Sequence, residues 1–292
     1  MSLDIKTMNA AAEYTRLEDK RQPFHTRAKD ASKLTIPQLF PDTEDTASTT
    51  YSTPYQSLGA RGVNNLANKM ILSLFPPATA FFKLGVNQLA KEQSGVSDGD
   101  MQNAMYTVEK GIVNEMEVSQ LRSVLVDIIK QGAVGGSAVL YVPEEGRPRA
   151  YRLPQVGVKR SRSGVVIKMV LKESVNFLEL PSDVRNSLTD LDDKERDGSK
   201  DLNLYTLIIR DDEDKYQVIQ EVKGMKIDGT EATYNPEDLP YVFVPFVDRN
   251  EDYGRSYVED FIGDLQSYEG LRQAILEAAA ESARLIYLVK LN

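Results

Sequence analysis

The side chains that could support catalysis are few in this sequence. His25 is the single histidine, and cysteine is absent. A Ser-His-Asp arrangement would have to use His25, but no nucleophile-elbow motif accompanies it. We therefore interpret His25 as a surface or packing residue. The lack of cysteine excludes disulfides, thiolate metal sites and cysteine nucleophiles.

Two acidic runs could attract a cation. The run at 193–198 begins like a calcium loop, but Leu204 occupies the twelfth position, where an EF-hand requires a bidentate glutamate. The four adjacent acidic residues at 211–214 lie between two predicted strands, which favours a hydrated hairpin turn. We predict no metal site and no cofactor.

The glycine-rich segment Gly132–Gly136 follows a predicted helix and precedes a predicted strand. A phosphate-binding loop has the opposite order, strand then helix, and is followed by a Gly-Lys-Ser/Thr signature that is missing here. We interpret the segment as a helix-to-strand turn.

Lys159, Arg160 and Arg162 form a basic group on a predicted hairpin tip. They are candidates for a phosphate contact, and a solvated turn is the alternative. The formal charge of the chain is −9, whereas a protein that grips phosphate over most of its surface is expected to be basic. Any contact with nucleic acid should therefore be local.

Four helices are predicted in the first half of the chain: the first is a polar, highly charged helix with few apolar members, and apolar residues at helical spacing predict the other three. They cover 10–30, 55–75, 100–118 and a segment that starts at Leu121 and ends at Gly132. The methionine-rich stripe Met101–Met116 is predicted to face the core rather than a ligand groove.

Short β-type runs separated by turn residues occupy the middle of the chain. A first group covers 138–142, 151–153, 156–159 and 165–171, with a hairpin tip at 161–164. A second group covers 204–210, 216–222 and 241–247. The intervening residues 186–201 are predicted to form a solvated charged loop.

A long helix is predicted from residue 257, with Ser256 as its N-cap and Glu259 completing a capping box. Two of its faces carry apolar or small residues, which predicts packing neighbours on two sides. The stripes are Phe261, Leu265, Tyr268, Ile275, Ala279 and Ser282, and Ala274, Ala278 and Ser282. Arg272 is predicted to pair with Glu269. The strand-like run 285–291 suggests that further sequence follows it.

The order of these elements predicts an α+β protein with helices first, a β-rich middle and a long helix last. The length of 292 residues suffices for one large or two modest domains. No apolar run is long enough for a membrane span, and the first twelve residues do not resemble a signal peptide.

Several collinear stretches carry a family resemblance. They are residues 27–41 (RAKDASKLTIPQLFP), 52–76 (STPYQSLGARGVNNLANKMILSLFP), 138–143 with 151–153, and the stretch from Tyr241 through PFVDRNEDYGRSYVEDFIGDLQSYEGLRQAILEA. The segments LGARGVNNLA and YGRSYVEDFIGDL are the most specific. In these stretches the chain closely resembles the N-terminal part of head-to-tail connector, or portal, proteins of short-tailed bacteriophages.

The resemblance implies a structural, non-enzymatic subunit of a dodecameric ring at one capsid vertex. Double-stranded DNA would pass through the ring during packaging and ejection. The implied partners are the terminase large subunit, a tail adaptor, and scaffolding, capsid and internal core proteins. The protein would assemble in the host cytoplasm and remain in the virion, without a membrane partner.

The resemblance also implies a division of the chain within a portal fold. Residues 1–54 would form an N-terminal helix and an extended arm, and residues 55–253 a wing domain whose helices precede a mixed or antiparallel β region. Residues 254–292 would form a helix leading into or forming the stem. The clip, the returning stem helix and the crown would be missing, and with them the terminase docking surface.

The charged face of the last helix is expected to contribute to subunit or channel surfaces. Its residues are Glu259, Asp260, Asp264, Glu277 and Glu281. Two other readings remain open: a nucleic-acid-binding module that uses the basic group, and a metal-dependent hydrolase that uses the acidic clusters. Steep salt dependence as a monomer would indicate the first, and turnover with magnesium or manganese the second.

Overall fold

The structure is a computed structural model that describes residues 5–41, 49–77, 80–85, 97–144, 146–188, 191–248 and 251–284. The strand-like run 285–291 and residues 42–48 of the predicted arm lie outside the described residues. Within them, helices and antiparallel strands are followed by a long helix, so the predicted α+β class is confirmed.

Among the described residues, four α-helices precede the first strand. They are α1 Ala10–Lys33, α2 Leu58–Leu74, α3 Asp98–Val118 and α4 Leu121–Gly135. Helix α1 begins after Asn9, whose side-chain oxygen accepts the Ala12 N–H at 2.7 Å. This N-cap satisfies one of the donors that a helix start leaves free. The four predicted helices are thereby confirmed, apart from the end of α4.

Helix α4 passes the predicted end at Gly132 and stops at Gly135. A side chain at Gly132 would crowd the Phe246 ring, and one at Gly135 would overlap the Phe40 ring. These two glycines therefore allow close packing, and Gly136, with φ +83°, supplies the left-handed cap that ends the helix. Because β1 follows at once, the predicted helix-to-strand turn is confirmed.

The described strands form two antiparallel sheets. The first sheet has the order β2-β1-β9, with β1 Ser137–Tyr141, β2 Arg149–Arg152 and β9 Tyr241–Pro245. The second has the order β3-β4-β5-β6-β7, and β8 pairs with β6. Its strands are β3 Val156–Arg160, β4 Val166–Val175, β5 Leu202–Arg210, β6 Tyr216–Val222, β7 Met225–Lys226 and β8 Ala232–Tyr234.

The two sheets do not follow the two groups in which the strands occur along the chain. Strand β9 pairs with β1, about a hundred residues earlier, rather than with β5 and β6. Strand β4 pairs with β5, which places β3 and β4 in the second sheet. Both hairpin turns are confirmed: Ser161 N–H donates to the Val165 carbonyl, and Asp211 N–H to the Lys215 carbonyl, each at 2.8 Å.

The charged segment 186–201 is not the solvated loop that its composition predicts. It contains the end of helix α5 (Ser182–Ser187) and the short helix α6 (Asp193–Arg196). The carboxylate of Glu195 is almost fully buried and pairs with Lys200 at 3.1 Å and Lys223 at 2.8 Å. Lys223 follows β6, so a contact that is distant in sequence orders this segment.

The methionine-rich stripe of α3 is less buried than predicted. Met116 is buried, but Val108 is 52% and Ile112 is 41% exposed. Helix α3 is buried at one edge of this stripe, where Glu109, one seven-residue repeat before Met116, accepts the Leu84 N–H at 2.6 Å. Helical periodicity identified the apolar face of α3. It could not show that no other described element covers much of this face.

The largest core cluster joins the two sheets to α1 and α4. Val134 of α4, Val139 of β1 and Val158 of β3 are all without measurable exposure. Tyr253, which follows the last strand, belongs to the same cluster and is 1% exposed. The segment that leads into the final helix is therefore part of the core.

Candidate functional site

The last described helix leaves the body through residues 251–257, a segment here called the joint. A 3-10 turn at Val258–Phe261 follows the joint and continues as helix α7, Ile262–Ser282. The predicted long helix is confirmed, although its α-helical part begins at Ile262 rather than at residue 257.

Ser256 does not form the predicted capping box with Glu259. Its buried hydroxyl donates to the Ala133 carbonyl at 2.9 Å and accepts the Val258 N–H at 3.1 Å. The Glu259 carboxylate pairs with Arg255 instead, at 3.1 Å. Ser256 therefore fastens the joint to the end of α4 rather than starting an isolated helix.

Two glycines allow the backbone of the joint to contact the turn between α4 and β1. A Cβ atom on Gly136 or on Gly254 would overlap the carbonyl oxygen of the other residue. The Gly254 N–H donates to the Ser137 hydroxyl, and the Phe246 N–H to the Gly136 carbonyl, each at 2.8 Å. The backbone direction at this point is thus set by direct main-chain packing.

Tyr253 holds the joint to β3. Its hydroxyl accepts the Val158 N–H at 3.0 Å, and its ring lies 5.1 Å from the Phe24 ring, centroid to centroid. Burial raises the pKa of Tyr253 to about 12, so the hydroxyl stays neutral near pH 7.

The guanidinium of Arg160 holds the chain on both sides of the joint entrance. Arg160 is 8% exposed and donates to the Asp248 carboxylate at 3.0 and 2.6 Å. It also donates to the Glu251 carbonyl at 3.0 Å. The Asp252 carboxylate accepts the Arg160 backbone N–H at 2.9 Å and pairs with Lys159 at 3.0 Å.

The structure therefore separates the three basic residues that were candidates for a phosphate contact. Arg160 and Lys159 bind acidic and carbonyl groups next to the joint. Arg162 is exposed at the tip of the β3–β4 hairpin. Two members of the group thus contribute to the anchoring of α7.

We expect Arg160→Met to lower the free energy of unfolding by about 2 kcal/mol, because it removes the hydrogen bonds from the guanidinium to the Asp248 carboxylate and the Glu251 carbonyl. This loss is smaller than the one expected for a fully buried ion pair, because the Asp248 side chain is 41% exposed. Urea unfolding followed by circular dichroism measures the change. The control Arg162→Met should cost less than about 0.5 kcal/mol, and equal losses in both variants would contradict the anchoring role.

The five acidic candidates of the last helix fall into two groups. Glu259 and Asp260 lie beside the joint, whereas Asp264, Glu277 and Glu281 are exposed on α7. Arg255 pairs with Glu259 at 3.1 Å and with Asp260 at 3.3 Å. Arg27 of α1 approaches Glu259 at 3.7 Å. The first group is engaged within the chain, and the second faces solvent.

The ion pair between Glu269 and Arg272 that the sequence predicts is not formed. The Glu269 carboxylate accepts the backbone N–H groups of Tyr55 and Gln56 at 2.8 and 3.1 Å. These two residues lead into α2, so Glu269 ties the middle of α7 to the entrance of α2. The partner of Glu269 is therefore not the arginine nearest in sequence but a backbone segment more than 200 residues away.

Beyond Glu269, helix α7 projects from the body. Every described residue from Gly270 to Ser282 is exposed, including Leu271 at 56% and Ile275 at 53%. Successive residues of a helix are rotated by about 100°, so these two lie on one side of α7 together with Asp264 and Tyr268. We call these four residues the α7 face. Exposed apolar residues in a contiguous patch mark an interaction surface.

A cavity of about 350 Å³ continues the α7 face towards α2. Its walls include Leu58, Gly62 and Leu66 of α2, and Phe261, Asp264 and Leu265 around the root of α7. Leu265 is the one buried residue of α7 in the described structure. Beyond residue 269, the neighbours that were predicted for two sides of this helix are therefore not supplied by the described part of the chain.

The described residues offer little for catalysis. They contain no group of three or more potential metal ligands, and no helix among them could cross a membrane. Burial, with the nearby cations Arg21 and Lys29, lowers the pKa of His25 to about 4. The imidazole on α1 is thus neutral near pH 7 and sits beside two positive charges.

Sequence reasoning missed a second basic group, which consists of Arg149 and Arg152 at the two ends of β2 and Arg147 just before that strand. Arg149 pairs with Glu173 at 2.9 Å and lies 5.1 Å above the Tyr141 ring centroid. Three arginines within six residues were the available signal. The contact between the two glycines of the joint had no comparable local signal.

Comparison with known proteins places these features in a family context. The family model described as "Bacteriophage head to tail connecting protein" matches residues 7–292. The portal protein of Escherichia phage T7 is 38% identical over 291 residues, covering 96% of this chain and 54% of that protein. The portal protein of Enterobacteria phage T3 is 39% identical, with the same coverage of each chain.

More distant relatives give the same result. The portal protein of Enterobacteria phage SP6 is 26% identical over 284 residues. This chain spans about half the length of the curated relatives it matches. The resemblance that its sequence stretches indicate is thereby confirmed.

Proposed function

Because this chain belongs to the bacteriophage head to tail connecting protein family, we propose that it forms part of a portal ring at the capsid vertex. In this proposal the ring is a dodecamer, and double-stranded DNA passes through it during packaging and ejection. The chain is a structural component without catalytic activity, and it resides in the virion after assembly in the host cytoplasm.

The observation that carries the proposal is the α7 face on a firmly anchored helix. A closed ring of identical subunits uses head-to-tail contacts, in which each subunit presents two unlike surfaces. Leu271 and Ile275 are more than half exposed, and the α7 face has no covering element in the described chain. A neighbouring subunit would bury these side chains, while the joint would hold the helices in a common direction.

The charge of the chain supports a conduit rather than a clamp. Lasting phosphate contacts would hinder sliding DNA, and the formal charge of −9 favours repulsion and weak contact. Lys159 and Arg160 are bound to acidic and carbonyl groups of the same chain. This pairing disfavours the alternative of a phosphate-binding module built on that basic group.

The finer assignments extend the same proposal. Residues 1–54 would act as helix and arm, residues 55–253 as the wing, and residues 254–292 as the helix that leads into or forms the stem. The terminase large subunit, the tail adaptor, and scaffolding, capsid and internal core proteins would contact the assembled ring. The exposed acidic residues Asp264, Glu277 and Glu281 would line subunit or channel surfaces.

Negative-stain imaging of the purified full-length protein tests the proposed function. We expect rings with a central channel, because the exposed apolar face of α7 favours association. A magnesium- or manganese-dependent turnover assay should show no activity. Absence of rings at every protein concentration, or a monomer that binds DNA with a steep salt dependence, would contradict the portal assignment.

A further inference from the structure

The second basic group lies along an open edge of the three-stranded sheet. Arg147, Arg149 and Arg152 occupy β2 and the residues before it, and Lys130 of α4 lines a cavity together with Arg152. We call these four residues the basic edge. Arg147 and Arg152 are exposed, and the Arg149 side chain is 56% exposed despite its pair with Glu173.

The backbone of β2 offers hydrogen-bonding groups at this edge. Strand β2 ends the sheet and pairs only with β1 in the described structure. The Arg152 N–H points away from β1, since it donates to the Gln155 side chain at 3.0 Å. Backbone groups alternate sides along an antiparallel strand, so the N–H and carbonyl of Ala150 also point away from β1. An open strand edge of this kind can pair with another chain.

A buried acceptor lies beside the same edge. Gln131 of α4 is 3% exposed, and its Oε1 atom has no hydrogen-bond partner among the described residues. Gln131, Ala150 and Arg152 line one cavity of about 410 Å³. Because an unsatisfied buried acceptor is costly, this cavity favours a ligand that brings an N–H donor.

An acidic surface, opposite in charge to the basic edge, lies at the end of the second sheet that is farther from this edge. Asp212, Glu213 and Asp214 are exposed in the turn between β5 and β6. The basic edge contacts the other end of that sheet, where Arg149 pairs with Glu173 and Glu173 lies opposite Leu204. The seven residue steps from 204 to 211 span roughly 23 Å in a strand. We call residues 211–214 the acidic turn.

We propose that the acidic turn of one subunit docks on the basic edge of the next subunit in the ring. The proposal rests on the proposed ring and names one of its contacts. Unlike charges at opposite ends of one sheet are suited to a head-to-tail interface. The N–H groups of Asp211, Glu213 and Asp214 donate within the acidic turn, which leaves the Asp212 N–H as the donor that the turn can offer to Gln131. DNA phosphate, by contrast, supplies only acceptors. The observations therefore favour a protein segment over nucleic acid.

Engineered disulfides test the contact directly, because the chain has no cysteine of its own. The full-length variant Asp212→Cys/Arg152→Cys, oxidised as assembled rings, should give a ladder of disulfide-linked multimers on a non-reducing gel. The single variants should stay monomeric on the same gel. The matched control Asp212→Cys/Arg16→Cys carries its second cysteine on an exposed position of α1 and should give no ladder.

Charge reversal provides the second arm of the test. Asp212→Lys/Glu213→Lys and Arg147→Glu/Arg152→Glu should each raise the protein concentration for half-maximal ring formation by about tenfold. Combining the four substitutions should return it to within about threefold of the wild-type value, because the charges are again complementary. Light scattering of a dilution series measures these concentrations.

Three outcomes would overturn the proposed contact while leaving the portal assignment intact. The first outcome is that rings form without any disulfide ladder. The second is that both charge-reversal variants assemble like the wild type. Arg147→Glu/Arg152→Glu could instead weaken binding of a fluorescent DNA duplex to the ring with assembly unchanged, which would assign the basic edge to DNA. If the wild-type protein forms no rings, the proposed function itself fails.

Discussion

Gly136→Ala is expected to lower the free energy of unfolding by about 3 kcal/mol. Two separate costs contribute. Gly136 has φ +83°, a left-handed conformation that costs a residue with a Cβ atom about 1 kcal/mol. The new Cβ would also overlap the Gly254 carbonyl, and the backbone shift that relieves this overlap costs about 1–3 kcal/mol.

Gly224→Ala is the matched control for this substitution. Gly224 has φ +78°, but a Cβ atom at this position would meet no atom within 4 Å. It should therefore show only the conformational cost of about 1 kcal/mol. Urea unfolding of both variants measures the difference, which reports the contact between the α4–β1 turn and the joint. Equal losses would mean that the joint yields to the added methyl group without cost.

Leu271→Asp/Ile275→Asp is expected to abolish ring formation without destabilising the subunit. Both side chains are more than half exposed in the single chain, so their replacement removes little buried surface from the fold. Complete burial of a leucine or isoleucine side chain contributes about 1.5–3 kcal/mol, and a neighbouring subunit would cover the exposed half of each side chain. The loss of both contributions, about 1.5–3 kcal/mol, weakens each contact by about ten- to a hundredfold.

The double variant Gln266→Asp/Gln273→Asp serves as the control for charge and helix position. Both glutamines are exposed on α7, and the rotation of about 100° per residue places them away from the α7 face. Size-exclusion chromatography with light scattering should show rings for this control and single subunits for the variant of the α7 face. Wild-type assembly of Leu271→Asp/Ile275→Asp would exclude the α7 face from the subunit contact, and lower thermal stability would point to a fold defect.

Local sequence patterns determined much of the architecture. The 3.6-residue period of apolar side chains predicted the positions of α2 and α3 closely, since side chains three and four residues apart share one side of a helix. Turn residues predicted both hairpin tips, because their backbone preferences act within a few residues. The collinear stretches from residue 27 to the final helix indicated the family that the comparisons confirm.

Only the tertiary structure decided which of these elements meet. Strand β9 carries the same alternating pattern whether it pairs with β1 or with β6, so its sequence could not select the sheet. Periodicity likewise marked the apolar sides of α3 and α7 without showing that the described chain leaves much of them uncovered. In each case an amphipathic pattern states that a partner is needed, but does not identify it.

The joint shows the same division at the scale of single groups. The sequence by itself determined that a long helix follows the glycine and serine at 254 and 256, but it predicted a local capping box for Ser256. In the structure that hydroxyl donates to the Ala133 carbonyl, and the Glu269 carboxylate accepts hydrogen bonds at the entrance of α2. The Arg160 guanidinium pairs with Asp248. These partners lie between 88 and 214 residues apart in sequence. Short-range spacing carries no information about such contacts, because the packing of the whole core brings the groups together.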